Sequence, residues 1–178
     1  MKQKTIGIIG SGKEPWTDYV EPLARWIARQ NFNLLTGGGG GVMAAASKAF
    51  VRETNRTGVC LGIIPTKPDD KLGFIPHKGY PNPWVEIAII SPLSTLDRDR
   101  PKSISRNYTC VLSSDLLVAL PGSEGTKNEI DLAISFQKPL ILLAPPTEML
   151  DFPANLPRTD SIQTVKEFIL EWFKMAEV

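Results

Sequence analysis

The sequence is poor in the residues that build metal centres and disulfide frameworks. It contains two cysteines, Cys60 and Cys110, and one histidine, His77, among 178 residues. Two cysteines separated in this way form neither a metal-binding cluster nor a disulfide framework, and zinc sites combine several cysteine or histidine ligands. We therefore expect no metal site, and we interpret both cysteines as buried thiols in a reducing cytosol.

Long apolar runs and an excess of one charge are also missing. The basic N-terminus is followed by an apolar run of only residues 5–9. This run is too short for a signal peptide, and no other run approaches the length of a membrane helix. Lysine and arginine number 20, aspartate and glutamate number 19, and the net charge is +1, so no basic field recruits nucleic acid. We expect a cytoplasmic protein that contacts neither membranes nor nucleic acid.

What the chain does have is a regular alternation of short β-branched runs with amphipathic segments. Its 178 residues suit one domain, 1–178, with a sizeable core. Apolar runs predict strands at 5–9, 33–36, 58–65, 84–90, 116–120 and 139–144. Helical periodicity predicts helices around 20–27, at 42–52, 102–113 and 128–136, and from 161 onward. This alternation is typical of an α/β fold, in which helices cover both faces of a mostly parallel sheet.

Residues 66–83 interrupt the alternation. The stretch is rich in proline, glycine and charged residues, so we predict a surface loop, and its length suggests a functional role. Tyr80 and Trp84, near its end, either stack on a base or anchor the loop, and anchoring is the simpler interpretation.

A glycine-rich turn joins the predicted strand 116–120 to the helix that follows. The turn contains Pro121, Gly122 and Gly125. At such a junction the free backbone N–H groups and the positive end of the helix dipole favour an anion. Glu129 lies about one turn inside the predicted helix, and a phosphate would repel its carboxylate. Our hypothesis is a loop that binds a nucleotide phosphate and a glutamate that acts on the sugar.

Two further glycine-rich loops, 10–13 and 37–41, also follow predicted strands. Because the carboxyl ends of parallel strands meet at one edge of a sheet, all three loops can converge on one crevice. Residues 7–13 match the start of a P-loop, but Glu14 stands where the Mg²⁺-binding Ser or Thr is required. Pro15 stands where a dinucleotide fingerprint needs its third glycine. The first loop is therefore either a tight turn or a nucleotide contact, and the five-glycine loop is favoured as a ligand contact.

Two stretches together resemble the LOG-like family, often mislabelled lysine decarboxylase. They are Thr36–Met43, TGGGGGVM, and residues 116–130, LLVALPGSEGTKNEI. The family hallmark is a PGGxGTxxE loop with an upstream GGG-containing loop, and the order of motifs is similar to that of the molybdenum cofactor carrier branch. The resemblance covers roughly residues 6–143. It implies a Rossmann-like three-layer α/β/α fold with a mostly parallel sheet of six to seven strands.

The resemblance also implies roles for individual residues. Arg106 and Glu129 fall on the catalytic arginine and glutamate of the family, although each alone would read as an ordinary charged residue. The ligand- and phosphate-binding residues that it implies are Ser11, Gly38, Gly39, Gly41, Met43, Pro121, Gly122, Ser123, Gly125 and Thr126.

The chain departs from the family pattern at three positions in these motifs. Ser123 replaces the second glycine of the hallmark, and it either crowds a phosphate or supplies a hydroxyl donor. Asn107 stands where the hydrolases of the family usually carry lysine, and Asn128 stands where they often carry a further glutamate. The glycine loop is also one residue shorter, as in the carrier branch. These departures bear more on whether the ligand is hydrolysed than on whether a nucleotide is bound.

The resemblance implies two functions. Many family members are phosphoribohydrolases that cut the N-glycosidic bond of a nucleoside 5′-monophosphate, a reaction that requires no cofactor. The alternative is a non-enzymatic protein that carries the molybdenum cofactor or senses a nucleotide. In both cases the expected partner is a small-molecule nucleotide or a molybdopterin-type pterin, and the family implies a homo-oligomer, either a dimer or a tetramer.

Overall fold

The computed structural model describes residues 3–93 and 105–175, which form one eight-stranded sheet flanked by helices. The strands are β1 (Thr5–Ile9), β2 (Asn33–Thr36), β3 (Cys60–Asp69), β4 (Gly73–Pro76), β5 (Ile87–Ser91), β6 (Leu116–Ala119), β7 (Leu140–Leu143) and β8 (Arg158–Thr159). The helices are α1 (Thr17–Arg29), α2 (Val42–Val51), α3 (Arg106–Ser113), α4 (Glu124–Ser135) and α5 (Ile162–Met175). A short 3₁₀ helix, Pro146–Met149, precedes β8.

Strand β1 lies in the middle of the sheet, between β2 and β6. On one side the order continues through β2 to β3, and on the other side through β6 and β7 to β8. These neighbours are all parallel, β5 pairs parallel with the first half of β3, and β4 pairs antiparallel with its end. The strand order therefore reverses at β1. In open α/β sheets such a reversal leaves a ligand-binding crevice at the carboxyl ends of the strands.

Both faces of the sheet are buried because successive side chains of a strand point to opposite faces. Leu116 and Val118 belong to one core, which α1, α2 and α5 cover. Leu117 and Ala119 belong to the other core, which α3 and α4 cover. This arrangement confirms the expected Rossmann-like three-layer α/β/α fold. The sheet has eight strands rather than six to seven.

The prediction of a surface loop over 66–83 is wrong for residues 66–69 and 73–76. Strand β3 continues to Asp69, and a turn returns the chain as β4, with Lys67 opposite Ile75 and Pro68 opposite Phe74. Pro68 concealed this hairpin in the sequence, because proline cannot donate a hydrogen bond and is tolerated in strands mainly at edges.

The start of one helix and the start of one strand also differ from the prediction. Helix α4 begins at Glu124 rather than at residue 128, so Glu129 lies in its second turn. Strand β5 begins at Ile87 rather than at residue 84. Asn82 holds the preceding residues in a turn, because its Oδ1 accepts a hydrogen bond from Trp84 N at 3.1 Å. The predicted start of α3 at residue 102 lies outside the described residues.

Both cysteines are free and buried, as predicted. Burial raises the pKa of Cys60 to about 11 and that of Cys110 to about 12, so both thiols stay protonated at neutral pH. Within residues 3–93 and 105–175, no helix has the length and apolarity needed to cross a membrane. In the same residues, no group of three or more His, Cys, Asp or Glu side chains could hold a metal ion.

Candidate functional site

A crevice lies where the loops after β1, β2 and β6 meet. Its walls come from the end of β1, the glycine-rich loops, α2, the first turns of α3 and α4, and the segment before β5. The lining residues are Ile8, Ile9, Gly10, Gly12, Gly37, Met43, Tyr80, Arg106, Asn107, Ser123, Gly125, Thr126 and Glu129. The three glycine-rich loops therefore converge on one crevice, as their positions after parallel strands predict.

Ser11 joins these three loops through its backbone. Its N–H donates to the carbonyl of Pro121 at 3.0 Å, and its own carbonyl accepts from Val42 N at 2.9 Å. Its hydroxyl accepts from the N–H groups of Lys13 at 3.1 Å and Glu14 at 2.9 Å. Ser11 thus closes the turn of the first loop with its side chain and ties the other two loops to it.

The five-glycine loop is shaped by close approaches that leave no room for side chains. Gly41 has φ 56° and ψ −129°, a conformation that L residues rarely adopt. A Cβ there would overlap the carbonyl oxygen of Ser11. A Cβ at Gly37 would overlap the guanidinium of Arg106. The glycines therefore let the loops pack on each other and let Arg106 lie directly on the loop backbone.

The N-terminal end of α4 forms one wall of the crevice. The first N–H groups of a helix have no intrahelical partner, and here they follow the exposed residue Ser123 and precede the buried Thr126. Ser123 has φ −94° and ψ −158°, which strains no L residue, and its hydroxyl makes no capping hydrogen bond. Of the two interpretations of Ser123, an added hydroxyl donor fits this geometry better than crowding.

Arg106 is a buried cation at the base of the crevice. It begins α3, is 8 % exposed, and its Nη1 donates to the sulfur of Cys110 at 3.4 Å. Its Nε is buried without a hydrogen-bond partner among the described residues. Because a buried charged donor is costly to leave unpaired, an anionic or polar ligand is the natural partner of this guanidinium.

Glu129 faces the crevice from α4 and is only 7 % exposed. Burial raises the pKa of its carboxyl to about 7, and the positive charge of Arg106 partly opposes this rise. The two side chains interact through their charges, and no hydrogen bond between them is found among the described residues. Neither side chain is therefore satisfied by the other through a hydrogen bond, and such perturbed groups in a cleft are typical of functional sites.

The two asparagines that depart from the family pattern contact each other. Asn107 Nδ2 donates to Asn128 Oδ1 at 2.9 Å, and this bond joins α3 to α4. Arg106 directly precedes Asn107 in the sequence, and Glu129 directly follows Asn128. A neutral pair therefore stands where the hydrolases usually carry a lysine and often a glutamate, and it braces the two helices that present the charged residues.

A double-mutant cycle measures this brace. We expect Asn107→Ala and Asn128→Ala to show a coupling free energy of about 0.5–1.5 kcal/mol in urea unfolding, as for a partly buried hydrogen bond. The comparison needs both single variants and the double variant. Strictly additive effects would show that the bond does not hold α3 and α4 together.

The segment before β5 supplies Tyr80, for which we preferred loop anchoring over stacking on a base. Tyr80 lines the crevice, whereas Trp84 lies outside it. Asn82 fixes this segment to the glycine loop, because its N–H donates to Gly38 O at 2.7 Å and its Nδ2 donates to Gly39 O at 3.0 Å. Asn82 therefore anchors this segment, a role that we assigned from the sequence to Tyr80 and Trp84.

The predicted site residues divide into two groups. Those that line the crevice are Met43, Arg106, Ser123, Gly125, Thr126 and Glu129. Those that lie behind the lining and shape it are Ser11, Gly38, Gly39, Gly41, Pro121 and Gly122. Sequence reasoning did not assign Ile8, Ile9, Gly10, Gly12, Gly37 or Asn107 to the site, although the three glycines belong to loops already singled out, and it preferred loop anchoring for Tyr80.

The comparisons with known proteins agree with this architecture. A model of the SLOG cluster4 family matches residues 3–169. An uncharacterized protein of Archaeoglobus fulgidus is 30% identical over 148 residues, which are 82% of this chain and 83% of that protein.

Two solved structures are also similar over nearly their whole length. The molybdenum cofactor binding protein from Rippkaea orientalis is 28% identical, with a TM-score of 0.73 over 97% of this chain and 99% of that chain. The Moco carrier protein from Chlamydomonas reinhardtii is 25% identical, with a TM-score of 0.65 over 96% of this chain and 99% of that chain. These matches confirm the resemblance to LOG-like proteins and to their carrier branch.

Proposed function

The chain belongs to the SLOG cluster4 family, and we propose that it is a phosphoribohydrolase that cleaves the N-glycosidic bond of a nucleoside 5′-monophosphate. The observation that carries this proposal is the presence of Glu129 and Arg106, both buried, in the same crevice as the N-terminal end of α4. An anion site next to a carboxylate and a guanidinium suits a substrate with a phosphate at one end and a reacting sugar in the middle.

The crevice residues take three roles in this mechanism. The first N–H groups of α4 and the hydroxyls of Ser123 and Thr126 bind the 5′-phosphate, since a helix N-terminus favours an anion. Glu129 approaches the ribose and stabilises the positive charge that develops at C1′. Arg106 holds the ligand through charge-assisted hydrogen bonds.

The reaction balances with water as the co-substrate. The C1′–N bond breaks, its electron pair leaves with the base, and water adds to C1′. Glu129, as the carboxylate, accepts a proton from this water, the departing base takes a proton from solvent, and Glu129 then returns its proton to solvent. The products are ribose 5-phosphate and the free base.

The direct test is incubation of the purified protein with AMP, GMP, CMP and UMP, followed by chromatographic detection of free base. We expect release from at least one monophosphate. The corresponding nucleoside should react at least about 100-fold more slowly, because it lacks the phosphate whose binding energy orients the sugar. If none of the four monophosphates yields free base, the hydrolase proposal is wrong.

A second candidate function, carriage of the molybdenum cofactor without turnover, is supported by a different observation. The neutral Asn107–Asn128 pair replaces charged residues of the hydrolases next to both candidate catalytic residues. Two similar structures are named a molybdenum cofactor binding protein and a Moco carrier protein. A phosphorylated pterin offers the same crevice an anion and a planar ring.

The two candidates differ in what the protein carries after purification. The absorbance spectrum of the protein, with mass spectrometry of any co-purified small molecule, distinguishes them. A bound pterin together with no release of base identifies a carrier. A bound nucleotide together with base release identifies the hydrolase.

A further inference from the structure

Tyr80 is placed against the floor of the crevice. A Cβ built on Gly39 would lie 2.8 Å from the hydroxyl oxygen of Tyr80, 2.9 Å from its Cε1 and 2.8 Å from Cε of Met43. The phenol ring therefore lies on the backbone of the glycine loop, with the methyl group of Met43 beside it. Tyr80 is half-buried, so part of its ring faces the crevice.

The backbone around Tyr80 holds this ring in place. Tyr80 N donates to His77 O at 3.0 Å, and His77 N donates to Pro65 O at 3.1 Å. On the other side, Asn82 makes its two hydrogen bonds to the glycine loop at Gly38 and Gly39. A ring that is already fixed loses little conformational freedom when a ligand binds, which favours affinity.

The other aromatic residue of this segment provides a contrast. Trp84 packs under Lys48, whose Nζ lies 5.7 Å from the ring centroid, and it lines a separate depression that includes Lys13. The two rings are four residues apart in sequence, but Tyr80 lines the crevice and Trp84 does not. Aromatic character alone therefore does not explain why one of them faces the site.

We propose that Tyr80 is a ligand-binding residue whose ring stacks on the planar heterocycle of the bound ligand. The ligand class is a phosphorylated heterocycle of the size of a purine or pterin, with its phosphate at the N-terminal end of α4 and its ring on Tyr80. This inference rests on one part of the proposed function, that the crevice binds such a compound, and not on whether the compound is cleaved. Stacking tolerates different heterocycles because every one of them has a π-face, so Tyr80 selects for a ring rather than for one base.

The polar surroundings of the ring fit this role. The Tyr80 hydroxyl oxygen lies against Gly39, where a Cβ would be 2.8 Å from it, so the proposed contact with the heterocycle comes from the ring rather than from the hydroxyl. The guanidinium of Arg106 lies on the same glycine loop, because a Cβ at Gly37 would overlap it. One ligand can therefore contact the ring and the cation together.

The test compares a ligand that has a ring with one that lacks it. All proteins in this test carry Glu129→Gln, so that AMP is not hydrolysed, and isothermal titration with AMP and with ribose 5-phosphate compares this parent with its Tyr80→Leu, Tyr80→Phe and Trp84→Leu variants. We expect Tyr80→Leu to weaken AMP binding by about tenfold, the usual effect of losing a stacked base. The same variant should bind ribose 5-phosphate as the parent does. Tyr80→Phe and Trp84→Leu should retain the affinity for AMP.

The other outcomes separate a failure of the stacking proposal from a failure of the proposed function. If Tyr80→Leu binds AMP as the parent does, Tyr80 does not stack on the ring, whereas the proposed function stands. If Tyr80→Leu loses AMP and ribose 5-phosphate equally, or if Trp84→Leu has the same effect, the segment supports the fold rather than the ligand ring. If the parent binds none of AMP, GMP, CMP and UMP and also fails to bind the molybdenum cofactor released from a denatured molybdoenzyme, both proposals fail. If the parent binds the molybdenum cofactor but not AMP, the same variants are compared with the cofactor as the ligand. Tyr80→Leu is then expected to weaken cofactor binding.

Discussion

Replacing Glu129 with glutamine is expected to abolish base release and, above pH 7, to make the folded protein more stable. The catalytic loss follows from the proposed mechanism, in which the carboxylate stabilises charge at C1′ and accepts a proton from water. General acid–base groups contribute about 10²–10⁴-fold to rates, and a neutral amide supplies neither function. We expect base release to fall by about 10³-fold.

The gain in stability follows from the burial of the same carboxyl. Burial raises its pKa from 4.5 to about 7. The folded state therefore binds more protons than the unfolded state between these values, and the free energy of unfolding falls as the pH rises from 4.5 to about 7. At about 1.4 kcal/mol per pKa unit, the ionised carboxyl costs up to about 3 kcal/mol above pH 7. Glutamine has no charge to bury, so its variant avoids this cost.

Thermal unfolding at several pH values checks the prediction. The advantage of Glu129→Gln over the parent should grow from pH 5 to pH 8 and reach roughly 5–10 °C in Tm for a chain of this size. Glu124→Gln is the matched control, because Glu124 is an exposed carboxylate at the start of the same helix. A difference in Tm that does not change with pH would show that Glu129 is not a buried ionisable group of the predicted kind.

The pH dependence of the reaction gives an independent readout of the same group. Because the mechanism requires the carboxylate, kcat/KM of the parent should rise with pH and level off above a pH of about 7, the raised pKa of Glu129. A rate that instead falls through this range would assign Glu129 the role of a proton donor.

Gly41→Ala is expected to produce the largest loss of stability among substitutions in the glycine loop. Its φ of 56° and ψ of −129° suit glycine, and an added Cβ would overlap the carbonyl oxygen of Ser11. The same Cβ would lie 2.7 Å from the backbone carbon of Gly12. Backbone strain of this kind costs about 1–3 kcal/mol, and displacement of Ser11 also breaks its bond to Val42. We expect a total loss of about 3–5 kcal/mol and, with it, the loss of ligand binding.

Urea and thermal unfolding measure this loss against Gly125→Ala. A Cβ at Gly125 would meet no atom within 4 Å, and the residue lies inside α4, where alanine is favoured over glycine by about 0.5–1 kcal/mol. Gly125→Ala should therefore unfold at the same or a higher temperature than the parent. If the two variants have equal stability, the conformation of Gly41 does not constrain the loop.

The sequence predicted the fold well where periodicity was strong. The residues of β1 and β2 were predicted without error, and each of these strands is followed directly by a glycine that marks its end. Strand β4 was missed because four residues that include a glycine and a proline carry no strand pattern of their own. They form a strand only because β3 runs on far enough to pair with them.

The candidate site was predictable in its chemistry and not in its geometry. Glu129 and Arg106 were identified, and they line one crevice. Their burial was not foreseen, because it depends on how α3 and α4 pack at the end of the sheet. Tyr80 could not be preferred over Trp84, because the choice between them depends on the turn that Asn82 makes onto the glycine loop.

The backbone bonds of Ser11 have a consequence for exchanging parts between relatives. Ser11 pairs with Pro121 on one side and with Val42 on the other, so a residue inserted into any one of the three loops shifts its register against the other two. A single loop of different length transplanted from a homologue will therefore misalign the crevice even when its own sequence is functional. The smallest exchangeable module is the set of all three loops, and chimaeras of this chain should be built on that unit.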